Sequence, residues 1–119
     1  MNTRFAYFYR SPSNTKKWGA VVFSSVADES IEQRLTDTLE SFEFFIADQV
    51  GVPELFFHDG LTPEEDKCWH EFASLEVTTE EVTDRLSRSI EQFVAECEAA
   101  SREGWRVFDP NMRDTGGYR

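Results

Sequence analysis

Residues 4–25, RFAYFYRSPSNTKKWGAVVFSS, decide the class of fold. The runs 4–9 and 17–25 are rich in aromatic and β-branched residues, and Ser11-Pro12-Ser13-Asn14-Thr15 between them is turn chemistry. The stretch predicts an antiparallel hairpin with a long loop, the seed of a sheet.

Working outward, residues 30–42 predict a helix. Ser30 and Gln33 have capping-box spacing, with Asp28 as the alternative cap, and Ile31, Leu35, Leu39 and Phe42 fall on one helical stripe. Two short strands follow at 43–47 and 54–58, with Pro53 suited to a strand start. Thr62-Pro63-Glu64-Glu65 is a helix-start signal, so one helical turn is predicted at 63–67, then a strand at 68–77. The most periodic element is the last, a helix over 79–103. Thr78 and Glu81 would form its capping box, Val82, Leu86, Ile90, Phe93, Cys97 and Ala100 its buried stripe, and Gly104 its stop. Arg85 and Arg88 then fall on the solvent side. A short strand at 105–108 could close the sheet, which makes 1–108 one domain and 109–119 a tail.

The order ββαβββα, with or without the closing strand, predicts an α+β fold. Its mainly antiparallel sheet has five to six strands, with two amphipathic helices on one face. Without the first strand the skeleton is βαββαβ-like, so a ferredoxin-like variant is the alternative topology. The chain has 119 residues, enough for one domain, and its eleven Phe, three Trp and three Tyr supply the bulk of a core.

Charge and composition exclude several classes. Residues 1–25 carry Arg4, Arg10, Lys16 and Lys17 and no acid, whereas 28–103 carry 21 acids and five bases; the total is −11. So acidic a body repels phosphate backbones, so no nucleic-acid partner is expected, and a protein with a basic surface suits it better. The longest stretch free of charge, Trp18–Ala27, is ten residues, too short to span a bilayer. The apolar run 5–9 is too short for a signal peptide, so the expected address is the cytoplasm, with Cys68 and Cys97 as reduced thiols.

No P-loop, G-x-S-x-G, G-x-G-x-x-G, HExxH or EF-hand pattern occurs. Two weaker constellations remain. His58, Cys68 and His70 fall within 13 residues; if 54–58 and 68–77 pair, two imidazoles and a thiolate meet, a zinc-type set with Asp66 or water as fourth ligand. The same residues read equally as a half-buried thiol and two hydrogen-bonded histidines, and then no cofactor is needed. The basic loop places Arg10, Ser13, Asn14, Lys16, Lys17 and Trp18 within nine residues, a set able to grip an anion or an acidic partner, or simply a solvated hairpin loop.

Strand alternation sends Phe44 and Phe45, and likewise Phe56 and Phe57, to opposite faces of the sheet. Two helices cover one face only. Aromatic rings on the other, joined by Tyr7 or Trp18, would form an interface. The leading expectation is therefore a non-catalytic protein-binding or regulatory module that forms a homodimer, and the alternative is a small metal- or anion-dependent enzyme built on His58, Cys68 and His70.

Overall fold

The computed structural model describes residues 1–11, 14–56 and 68–110. The N-terminal hairpin is present as strands β1 (Asn2–Arg10) and β2 (Lys16–Ser24), paired antiparallel from Asn2↔Ser24 to Arg10↔Lys16. Helix α1 (Glu29–Thr38), strand β3 (Phe44–Ile46), a 3-10 turn (Asp48–Val50), strand β4 (Trp69–Thr78) and helix α2 (Ile90–Glu103) follow. The sheet order is β2-β1-β4-β3, and every pairing is antiparallel. The class is thus α+β, as expected, while the strand count among the described residues is four instead of five or six. The ferredoxin-like alternative needs the element order βαββαβ, whereas the described residues run ββαββα, with both strands of the first hairpin ahead of α1 and adjacent in the sheet.

The two missing strands have local causes. Residues 54–56 run beside the sheet without joining it: Pro53 has no N–H to offer, and the Leu55 N–H donates to His70 Nε2 (2.9 Å). Positions 57 and 58, like the predicted helical turn at 63–67, lie outside the described residues. At the C-terminal end, Trp105 donates its indole N–H to Thr38 O (3.0 Å) and the Arg106 N–H goes to Gln49 Oε1 (2.8 Å), which straps 104–108 across the helices.

Helix boundaries also differ from the expectation. Asp28, the alternative cap, starts α1 by accepting the Ile31 N–H (2.8 Å). The helix stops at Thr38, so Phe42 does not extend its stripe and stands exposed. Helix α2 begins eleven residues later than predicted, where Ser89 and Gln92 form a complete capping box. Thr78, the expected cap, ends β4 and turns its hydroxyl to Glu80. Residues 83 and 84 instead hydrogen-bond the edge of β2: their N–H groups reach Val22 O (3.0 and 3.2 Å), and Val22 N–H donates to Thr83 Oγ1 (2.8 Å). Bonds spent on a strand cannot also close helical turns, and Ser87 at φ 53 leaves the right-handed region. Val82 and Leu86 are accordingly exposed, whereas Arg88 is buried.

Ile90, Phe93, Val94, Cys97 and Ala100 of α2, with Leu35 of α1, pack on one face of the sheet. Phe5 is the centre of that core, its ring within 4.9–6.3 Å of Tyr7, Phe23, Phe45, Phe72 and Phe93. Cys97 sits on this face as a buried thiol, and burial pushes its pKa up. Among the described residues no helix is long and apolar enough to cross a membrane.

Arg88 closes the core at its edge. Nε and Nη2 clasp the Asp84 carboxylate (2.9 Å each), Nη1 donates to Val50 O (2.7 Å) and Glu96 Oε2 (2.8 Å), and Nη2 also reaches Gly51 O (3.1 Å). All five guanidinium N–H groups thus have an acceptor. The cation also lies 5.4 and 5.3 Å from the ring centroids of Phe23 and Phe93. Burial alone would raise the Asp84 carboxyl, but the Arg88 side chain and N–H hold it below its ordinary value. Gly51 lies beside it at φ 75, a left-handed conformation that favours glycine.

Three substitutions test this arrangement against a helix beginning at 79. Asp84→Ala removes the acceptors of Nε and of one Nη2 proton and leaves Glu96 as the only carboxylate on the buried guanidinium, and should cost about 3 kcal/mol in urea unfolding. Leu86→Asp, on an exposed side chain, should stay within about 0.5 kcal/mol of the parent, while Ile90→Asp should unfold the domain.

Candidate functional site: the open face of the sheet

On β1, Phe5, Tyr7 and Tyr9 enter the core, so Arg4, Ala6, Phe8 and Arg10 occupy the face turned away from the helices. The pairings extend that face in rows across the sheet. Arg4 stands between Val22 and Glu76, Ala6 between Ala20 and Ser74, and Phe8 between Trp18 and Glu71. The register of β1 with β4 shifts between Ala6 and Tyr7, leaving Ala73 as the extra residue of a bulge. Phe44 pairs with Glu71 at the far side, and its ring centroid lies 6.4 Å from that of Trp69.

The middle row contains only small side chains. Ala6, Ala20, Ala73 and Ser74 floor a groove of about 550 Å³, walled by Arg4 on one side and Trp18 on the other. Trp18 is 58% exposed, an unusual fraction for an indole. It is held by the cluster below it. The Phe8 and Trp18 centroids are 4.7 Å apart, Lys16 Nζ lies 5.0 and 5.9 Å from the two rings, and the Arg10 guanidinium is 5.4 Å from Phe8. Arg10 is itself fixed by both Glu71 oxygens (2.9 and 3.3 Å) and by Asn14 Oδ1.

The basic loop of the sequence therefore divides. Arg10, Asn14, Lys16 and Trp18 come together on the open face. Lys17 turns to the opposite side, where Nζ donates to Phe56 O (3.3 Å), and Ser13 lies outside the described residues. The paired phenylalanines divide too. Phe45 enters the core and Phe44 the open face, but Phe56 is buried beside Tyr9, off the sheet. Tyr7, considered for the open face, is a core residue whose hydroxyl donates to Pro53 O (2.6 Å).

The second constellation lies inside the molecule. His70 is fully buried among Tyr7, Tyr9, Phe45 and Phe56, with ring centroids 5.2–6.0 Å away. Its Nε2 accepts the Leu55 N–H, so Nδ1 carries the proton and donates to Cys68 O (3.3 Å). Both nitrogens are occupied by the backbone, and no lone pair is left for a metal in this arrangement. Cys68 is buried, His58 and Asp66 lie outside the described residues, and among the described residues no three His, Cys, Asp or Glu side chains gather as a metal set. Two features escaped the sequence reading. The small-residue row was foreshadowed by Arg4-Ala6-Phe8 alternation opposite Ala20, but only the register aligns it. The Arg88–Asp84 clasp has ordinary i,i+4 spacing and carries no local sign of burial.

Set against protein-family models, curated proteins and solved structures, the chain matches none.

Burial pushes the His70 pKa from 6.5 down to about 4, against a small opposing effect of the Cys68 carbonyl. Between those values the unfolded chain binds the proton and the folded one does not, so stability falls as pH drops from 6.5 toward 4. The loss should approach about 3 kcal/mol. Urea unfolding at a series of pH values should show this slope, and His70→Gln should flatten it, although the variant is less stable throughout.

Proposed function

We propose that this protein is a non-catalytic binding module that acts by protein–protein contact through the open face of its sheet, with a second copy of the chain as the partner. The observation that carries the reading is the groove between Arg4 and Trp18, floored by Ala6, Ala20, Ala73 and Ser74 and bordered by an indole that is 58% exposed. Trp18 packs on Phe8 yet stays largely in water beside a recess floored by small side chains, and aromatic anchors and recesses are what protein interfaces bury.

A second copy suits this face because its charges are mixed. Arg4, Arg10 and Lys16 share it with Glu71 and Glu76. A two-fold interface sets a surface against itself, and a patch of one sign would repel its mate where a patch of both signs can pair. The acidic surface elsewhere, which makes the net charge −11, would suit a further protein with a basic surface. The absence of recognised catalytic motifs from the sequence agrees with a binding role.

Light scattering at tens of micromolar should give twice the 13.8 kDa chain mass. Ala20→Arg fills the groove with a charged side chain at an exposed position, and should return the mass to that of one chain with an unchanged circular-dichroism spectrum. A wild-type mass of one chain at high concentration would refute the reading.

A further inference from the structure

A turn at the edge of the same sheet breaks two rules at once. Glu40 and Phe44 exchange backbone hydrogen bonds (Glu40 N–H to Phe44 O, 2.8 Å; Phe44 N–H to Glu40 O, 2.9 Å), which closes a tight loop over Ser41, Phe42 and Glu43. Ser41 and Phe42 are both left-handed, at φ 52 and 62. Glycine or asparagine normally fills such consecutive positions, and a bulky side chain there is strained. Phe42 is also 72% exposed, more than Trp18. Strain and exposure both act against the isolated chain, and a residue held so has its use outside its own core.

The charges around the turn indicate what it meets. Glu40 and Glu43 flank Phe42, are exposed, and make no ion pair among the described residues. On the opposite edge strand, β2, Lys16 lies over two aromatic rings and likewise makes no ion pair among the described residues, and Trp18 and the groove adjoin it. The two surfaces are complementary in sign, and one offers a ring where the other offers a recess.

We infer that the Ser41–Phe42 turn is the anchor that sets the register of a homodimer, docking against Lys16 and the Trp18 groove of a second copy. The inference rests on the sheet-face reading above and specifies it. Symmetry makes the contact double. In the order β2-β1-β4-β3 the turn lies beside one outer strand and Lys16 on the other. A two-fold axis parallel to the strands, running between two stacked sheets, sets β3 of each copy over β2 of its mate. Each Phe42 then meets the other copy's groove, each Glu43 the other copy's Lys16, and the assembly closes at two chains.

Sedimentation equilibrium tests this with four variants, each first checked by circular dichroism. Phe42→Gly relieves the left-handed strain and should leave the fold intact while weakening dimerisation roughly tenfold or more. Glu43→Lys alone and Lys16→Glu alone should each weaken it through like-charge contacts. An equimolar mixture of those two chains should associate as tightly as wild type, because both contacts of the mixed dimer again pair opposite charges. If wild type dimerises and Ala20→Arg disrupts it, but Phe42→Gly dimerises as well as wild type and the mixture gains nothing, the docking of this turn is overturned and the sheet-face reading stands. A monomeric wild type overturns both.

Discussion

The guanidinium of Arg88 is the point on which the arrangement of this chain depends. It is a buried cation with five donors, and its acceptors come from three separate segments of the chain. Asp84 belongs to the irregular stretch before α2, Val50 and Gly51 to the 3-10 turn, and Glu96 to α2. Its flat faces lie near Phe23 and Phe93, whose own rings stack at 4.4 Å. One side chain thereby ties β2, α2 and two loops together. An ion pair with such burial is stabilising only when every hydrogen-bonding group is met, which is the case here.

That clasp explains why the helices lie on one side. The stretch from 83 to 89 follows the edge of β2 and delivers α2 to the face carrying Phe5 and Phe23, where α1 packs against it. Nothing comparable covers the opposite face among the described residues. Polar stems and small side chains make that face tolerable in water: Lys16 and Arg10 shield Phe8, which is buried although no helix lies over it. Trp18 is the exception, and Phe42, beside the opposite edge strand, is likewise exposed.

His70 illustrates how one residue type supports two opposed readings. A histidine two residues from a cysteine on a strand is compatible with a metal pair, and equally with a core side chain. Its surroundings decide. Four aromatic rings exclude water, and two backbone groups take both nitrogens, so the imidazole stays neutral and acts as a polar bracket between β4 and the 53–56 segment. That bracket is also why residues 54–56 do not join the sheet.

Much of this chain was legible in its residues taken in order. Aromatic and β-branched runs around Ser11–Thr15 specify the first hairpin, and the spacing of Ile90, Phe93, Cys97 and Ala100 specifies the body of α2, because both patterns are local periodicities that neighbours along the chain impose. Strand β4 matches the strand expected at 68–77, although Cys68, Phe72 and Leu75 fit a helical face as well and Glu71 and the bulge at Ala73 interrupt the alternation. The rest was decided by contacts between residues far apart. Val82 and Leu86 fit the helical stripe as well as Ile90 does, yet hydrogen bonds from 83 and 84 to Val22 outweigh helix propensity there. Arg88 and Asp84 look like a surface pair until Phe23, Phe93 and the Val50 carbonyl surround them. The groove of the open face exists only because cross-strand register sets Ala6, Ala20 and Ser74 side by side, a coincidence of three strands that no single stretch of sequence contains.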